Sequence, residues 1–214
     1  MTSGGLSYER DPAAIYRQSF ATVEAEADLT HLPADARAVA VRLIHACGMV
    51  EIASDITCSD DLVTSAVAAL RAGAPVLCDC EMVRAGVIRR LLPSGNPVIA
   101  TIGDAGVPAR AAGIANTRSA AAVELWAEQI EGAVVAVGNA PTALFHLLEL
   151  LDAGWPRPAA ILGFPVGFVG AAESKAELAA DPRGVPFITL TGRRGGSAMA
   201  SAAVNALSTL AARP

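Results

Sequence analysis

The chain has 214 residues, a formal net charge of −5, and 53% apolar, 17% charged and only 4% aromatic side chains. That balance fits a globular domain and excludes disorder, collagen and a disulfide-stapled miniprotein. No run of Lys or Arg exceeds a pair, so the basic face that nucleic-acid binding requires is missing. The polar opening MTSGGLSYERDP has no apolar leader core, and the longest apolar stretch, 159–172, is broken by Pro165 and three glycines. No membrane span and a cytoplasmic location are therefore expected.

Alanine supplies 46 residues, and the basic side chains are 15 Arg against the single Lys175. Codon bias in a GC-rich gene accounts for that ratio, but its physical consequence does not depend on the cause. Arg presents a rigid fork of donors that matches carboxylates, and Lys does not.

In chain order, Asp11-Pro12 reads as a cap followed by proline at the first helical position, opening a helix through Ile15, Phe20 and Val23. A second helix follows Pro33 and carries Val39, Leu43, Ile44 and Met49 towards its end. Short apolar runs bounded by Gly or Pro predict strands at 76–80, 98–102, 133–137, 159–162 and 187–190. Helical periodicity predicts helices at 60–71, 117–130, 142–151, 173–180 and 197–211. Alternation of this kind predicts βαβ units: one three-layer α/β/α domain over residues 1–214, with a mostly parallel sheet between helices.

In such sheets ligands sit at the carboxyl ends of the strands, where loops become helix N-termini. Two loops suit carboxylates or phosphates. Gly138-Asn139-Ala140-Pro141-Thr142 follows a strand with small residues that let a ligand approach the backbone. Gly192-Arg193-Arg194-Gly195-Gly196-Ser197 adds two guanidiniums and a candidate N-cap at Ser197. Neither is a nucleotide signature: Gly-Lys-Ser/Thr is absent, and the glycines of 163–170 have the wrong spacing for a dinucleotide fingerprint.

His31, before Pro33, reads as an exposed loop residue, and His146 as a helix residue at the margin of the core. His45, in Leu43-Ile44-His45-Ala46-Cys47-Gly48, sits near a glycine that can end its helix, and fits either a core histidine bonded to a carbonyl or a proton donor. Its spacing to Gly48 echoes a cobalamin-ligating D-x-H-x-x-G motif, with Leu43 in place of the orienting Asp. No hydrolase elbow or zinc spacing occurs, so no metal is expected. Cys78 and Cys80 flank Asp79 on one strand face, where buried thiols in a reducing compartment or a two-thiol metal site both fit.

Five ordered segments, 42–48, 116–121, 138–145, 165–175 and 192–199, together with Ile15-Tyr-Arg-Gln-Ser-Phe20, resemble the precorrin-8X methylmutase family over nearly the whole chain. The resemblance implies a flavodoxin-like fold and a homodimer without a separate cofactor, making transient contact with neighbouring pathway enzymes. It also implies an isomerase of corrin biosynthesis that moves a methyl group from C-11 to C-12 of precorrin-8X to give hydrogenobyrinic acid. It maps the catalytic histidine onto His45, and substrate contacts onto Ser19, Arg118, Asn139, Ala140, Pro141, Thr142, Gly195, Gly196 and Ser197. Arg193 and Arg194 join Arg118 as rim candidates for the substrate's carboxylates, and His45 becomes a general acid towards the ring C nitrogen. Ala46-Cys47-Gly48 is similar to the aerobic, metal-free branch, whereas the cobalt-precorrin-8 branch carries a Thr-rich segment there. The alternatives are that cobalt branch and a non-enzymatic tetrapyrrole-binding or channelling protein, which needs the rim arginines but not His45.

Overall fold

Six short strands, β1 (Ile56–Cys58), β2 (Val76–Cys78), β3 (Val98–Ala100), β4 (Val134–Val137), β5 (Ala160–Gly163) and β6 (Phe187–Leu190), form one sheet in the order β1-β6-β5-β4-β2-β3. The computed structural model describes residues 6–212. Residues 1–5, part of the polar opening noted above, and 213–214 lie outside the described residues. Strands β3-β2-β4-β5-β6 are all parallel, in the 2-1-3-4-5 order of flavodoxin-like sheets, and β1 is an antiparallel edge with Ile56 opposite Leu190.

The helices are α1 (Pro12–Glu26), α2 (Arg37–Cys47), α3 (Leu62–Arg71), α4 (Glu81–Gly86), α5 (Val107–Gly113), α6 (Arg118–Val123), α7 (Pro141–Asp152), α8 (Ala171–Ala180) and α9 (Ser197–Ala211). Successive strand residues face opposite sides, and this makes the layers. Val134 and Ala136 pack with Leu162 and Ile188 against α2, α3 and α9, while Val135 and Val137 pack with Leu77 and Ile161 against α7 and α8. α9 is buried from Met199 through Ser208. Its Ala and Ser side chains let neighbours approach closely: a Cβ on Gly86 would lie 2.5 Å from the Ser201 hydroxyl.

The predicted parallel strands and most helices are present within a few residues of their expected bounds. The strand expected at 76–80 stops at Cys78, because Asp79 and Cys80 leave the sheet to open α4. The helix expected at 117–130 ends at Val123. A 3₁₀ turn at Glu124–Trp126 then folds the Trp126 indole into the core. Met49, expected inside the second helix, lies past its glycine stop. β1, α4 and α5 are too short for their periodicity to be read from sequence.

Candidate active site

His45 lies on the last turn of α2, which ends where Gly48 takes a left-handed conformation (φ 69°) and donates its N–H to the Ile44 carbonyl at 2.8 Å. Tyr16, Ser19, Phe20 and Val23 of α1 recur at i, i+3, i+4 and i+7 and so share one face, which meets α2. The Tyr16 and Phe20 ring centroids lie 5.4 and 5.1 Å from that of His45, and the Ser19 hydroxyl is 2.7 Å from its Nδ1. Ser19 thereby orients the imidazole and leaves Nε2, which makes no hydrogen bond among the described residues, as the nitrogen free to act. Burial first, then the Arg42 guanidinium, hold the pKa of His45 below the ordinary histidine value. A proton placed on this ring is readily given up.

His45 opens onto a cavity of about 480 Å³ with small-residue walls, Ala46, Gly86, Ala198 and Ala202. Ser197 at the start of α9, Ser201 and Asn205 add polar groups. All three have partners within the chain: the Ser201 hydroxyl donates to the Ala198 carbonyl at 3.1 Å, Asn205 joins the Gly86 carbonyl to the Ile88 N–H, and the Ser197 hydroxyl meets the Cys80 thiol. Arg42 also lines the cavity, and no carboxylate does.

The strand order reverses between β2 and β4, the place where sheets of this type take ligands. Here the crevice is filled by the chain itself. Asp79, 2% exposed at the end of β2, accepts the N–H groups of Gly138, Asn139 and Ala140, each at 2.9 Å. Burial pushes its carboxyl above the usual carboxylate range, and the three N–H groups pull the other way. The backbone donors that the sequence offered to a ligand anion are thus taken by an internal one. Asn139 keeps its exposed side chain, and Thr142, beside Pro141 on the first turn of α7, shares a 2.8 Å hydroxyl contact with Thr117. The signal for Asp79 was in the sequence, as an acid between two cysteines at the end of an apolar strand.

The second glycine loop touches the first: a Cβ on Gly138 would lie 2.8 Å from Cα of Ser197. Gly195 has no room for a side chain, since a Cβ would lie 2.4 Å from the Phe164 carbonyl, which also accepts the Gly196 N–H at 2.8 Å. Gly196, not Ser197, is the cap of α9, because its backbone (φ 126°, ψ 165°) suits glycine alone. Ser197 is the first helical residue, its hydroxyl 3.4 Å from the Cys80 thiol. Lys175, 1% exposed on α8, donates to the Arg194 carbonyl and steadies the loop, and burial pushes its pKa down to about 8.

The structure therefore brings His45 and Ser197 to one cavity, sets Ser19 behind the imidazole on Nδ1, and links Asn139 and Ala140 to Ser197 through Asp79-Cys80. The predicted rim arginines stand apart from the cavity wall. Arg194 is 3.7 Å from Glu51, Arg193 lies over the Phe168 ring at 5.6 Å, and Arg118 donates to the Ile102 carbonyl at 3.4 Å. Arg42, which opens the 42–48 segment but is given no role by the sequence reading, takes the position at the wall. His31 is exposed with Nε2 3.2 Å from the Ile56 carbonyl, and His146 bridges Glu124 and Glu149 at 3.2 Å each, both outside the cavity lining. Among the described residues no group of three or more His, Cys, Asp or Glu converges on a metal position, and no helix is long and apolar enough to cross a membrane.

The model of one family, precorrin-8X methylmutase, matches residues 14–210. The chain belongs to the precorrin-8X methylmutase family. A precorrin-8X methylmutase of Pseudomonas aeruginosa is 62% identical over 204 residues, covering 95% of this chain and 98% of its own. One from a Sinorhizobium species is 60% identical over 200 residues, covering 94% and 95%. A cobalt-precorrin-8 methylmutase of Priestia megaterium is 38% identical over 171 residues, covering 79% and 75%. The crystal structure of a precorrin-8x methyl mutase from Thermus thermophilus matches at a TM-score of 0.82 and 38% identity, over 93% of this chain and 98% of its own. Membership of the precorrin-8X methylmutase family makes the chain an isomerase of cobalamin biosynthesis.

Proposed function

We propose that the protein converts precorrin-8X into hydrogenobyrinic acid by a [1,5]-sigmatropic shift of a methyl group from C-11 to C-12, with His45 as general acid towards the ring C nitrogen. Protonation of that nitrogen draws electron density from the conjugated system and makes C-12 a better acceptor. The methyl bond to C-11 breaks as the bond to C-12 forms, and the proton is returned as the product chromophore is established. Substrate and product are isomers, so no co-reactant enters. The observation that carries this reading is the Ser19-oriented imidazole opening onto a carboxylate-free cavity. Arg118, Arg193 and the loops Asn139–Thr142 and Gly195–Ser197 are read as outer contacts for the substrate's carboxylates. Arg194 is read the same way, with Glu51 giving way to the ligand.

Identities of 62% and 60% to proteins named precorrin-8X methylmutase, against 38% to a cobalt-precorrin-8 methylmutase, favour the metal-free substrate. The reading extends to a cytoplasmic homodimer, for which Phe168 and Val169, 85% and 88% exposed, offer apolar surface. The test is to mix purified protein with excess precorrin-8X and follow the absorption spectrum. Many turnovers per protein molecule are expected, and a spectral change that stops at one equivalent overturns the enzymatic reading.

A further inference from the structure

We propose that Ser19 relays protons between His45 and solvent through a second cavity behind the imidazole, so that the acid is recharged while the macrocycle occupies the first. This rests on the function proposed above. Ser19 acts through His45 and is a positioning and relay residue.

His45 borders two cavities. The front one, of about 480 Å³, receives Nε2. The rear one, of about 340 Å³, is bordered by Ser19, Thr22, Glu26, Gly48 and Val50. Ser19 lines the rear cavity and not the front, and its hydroxyl lies 2.7 Å from Nδ1. The imidazole is thus a partition with one nitrogen on each side. Ser19, Thr22 and Glu26 recur at i, i+3 and i+7 on α1, which makes that wall polar. Glu26, exposed at the last position of α1, stands two turns out from Ser19 and draws protons towards the cavity. Gly48 leaves the other wall open, since a Cβ there would meet nothing within 4 Å.

A macrocycle seated against Nε2 closes the front side of the ring to water. Burial and Arg42 keep His45 below its ordinary pKa, so near neutral pH the imidazole is mostly uncharged when the ligand arrives. The proton it needs must then come from behind. A hydrated proton in the rear cavity passes to Oγ of Ser19 as the Ser19 proton passes to Nδ1, and the imidazolium so formed gives its Nε2 proton to the ring C nitrogen. After the methyl shift the same bonds break and form in reverse, so no proton is gained or lost over a turnover. Of the charged and titratable groups around the ring, Arg42 shares its helix, and Tyr16 and Glu26 come from α1. The α4 and α9 walls and Val50 bring none.

The experiment compares two single-turnover protocols in wild type, Thr22→Phe and Ser19→Ala. Thr22→Phe fills the rear cavity, and the Thr22 hydroxyl it removes donates to the Gln18 carbonyl rather than to the Ser19–His45 pair. In the first protocol protein is charged at about pH 5.5 before precorrin-8X is added; in the second precorrin-8X is bound at about pH 9 and the complex is then jumped to about pH 5.5. Wild type is expected to convert the bound ligand at similar rates in both. Thr22→Phe should match wild type within about twofold in the first protocol and be slower by about 10-fold or more in the second, where conversion waits for the ligand to leave and return. Ser19→Ala, which also loses the orientation of the ring, should slow both and the second more. Equal rates to wild type in both protocols, or an equal slowing of both, in Thr22→Phe overturn the route and leave the proposed function standing. Wild-type protein that converts no precorrin-8X in either protocol overturns the proposed function and the route with it. Should Thr22→Phe fail to fold, the ratio of the two rates in Ser19→Ala decides: a second protocol slowed more than the first supports the relay, and an unchanged ratio overturns it.

Discussion

At the start of α7 the N–H groups of Gly138, Asn139 and Ala140 are met by Asp79 at 2.9 Å, whereas the wall of the His45 cavity carries Arg42 and an imidazole with no carboxylate against either. Both regions lie at the carboxyl ends of the parallel strands, where this class of sheet places its ligands. The first is electrostatically finished before any ligand arrives, while the second is left short of negative charge. The difference separates scaffold from site. Donors satisfied internally fix a loop, and donors left unsatisfied in a cavity bind something. At the topological switch point, the first place to look in this fold, the backbone donors are taken, and the open cavity lies instead between α2, α4 and α9.

The sharpest test of that separation is His45→Ala. If the open region performs the chemistry, turnover of precorrin-8X falls by about 10²- to 10⁴-fold, the range of a lost general acid, while hydrogenobyrinic acid still binds within a few-fold of wild type. Retained turnover would assign the reaction elsewhere. The pH dependence has a definite sign. The imidazolium is the acid, so kcat/KM, which reports the free enzyme, falls as pH rises through the His45 pKa. Burial and then Arg42 set that pKa below the ordinary histidine value, so the fall begins at lower pH than for an exposed histidine. Arg42→Gln removes a like charge and should move the fall to higher pH, as pH–rate profiles of the two proteins would reveal.

The closed region is probed by Asp79→Ala. Three backbone N–H groups, that of Gly138 buried and those of Asn139 and Ala140 partly so, lose their acceptor, and the expected loss of unfolding free energy is about 3–5 kcal/mol, measured by urea denaturation. Added formate should restore part of it, because the vacated space keeps the same three donors. A variant as stable as wild type would mean that the loop is held by something other than this carboxylate.

How much of this was legible from residues alone follows from the range over which each signal acts. β6 and α9 are local in origin, and their bounds, 187–190 and 197–211, coincide with those read from periodicity. The glycine stop at Gly48 was legible too, because only a left-handed residue ends α2 there. What escaped depends on contacts between distant segments. Asp79 meets residues about 60 positions away, and nothing in a Cys-Asp-Cys string states that its partner is a backbone loop. Arg42 was one of 15 arginines, and its distinction lies in its place on the wall of the His45 cavity, which no string displays. Arg194 was chosen for its loop, and the fold turned its guanidinium towards Glu51.

Lys175 is intermediate between the two regions, a buried cation whose one hydrogen-bond partner among the described residues is the Arg194 carbonyl, and it gives the smallest expected effect. Burial lowers its pKa to about 8 from the ordinary 10.5, against the weaker opposing pull of Asp55. Below pH 8 the ammonium is charged in both the folded and the unfolded chain, so its contribution to stability does not change with pH. Between about 8 and 10.5 the unfolded chain holds a proton that the folded chain has released, and unfolding must take one up. Stability from this group therefore rises with pH across that window. Lys175→Met removes the titration, so its unfolding free energy should rise less than that of wild type between pH 7.5 and 10, read from parallel urea melts. Equal pH dependence in the two proteins would mean that the ammonium is better solvated than its burial in α8 implies, and that the Gly192–Ser197 loop is steadied by its glycine contacts alone.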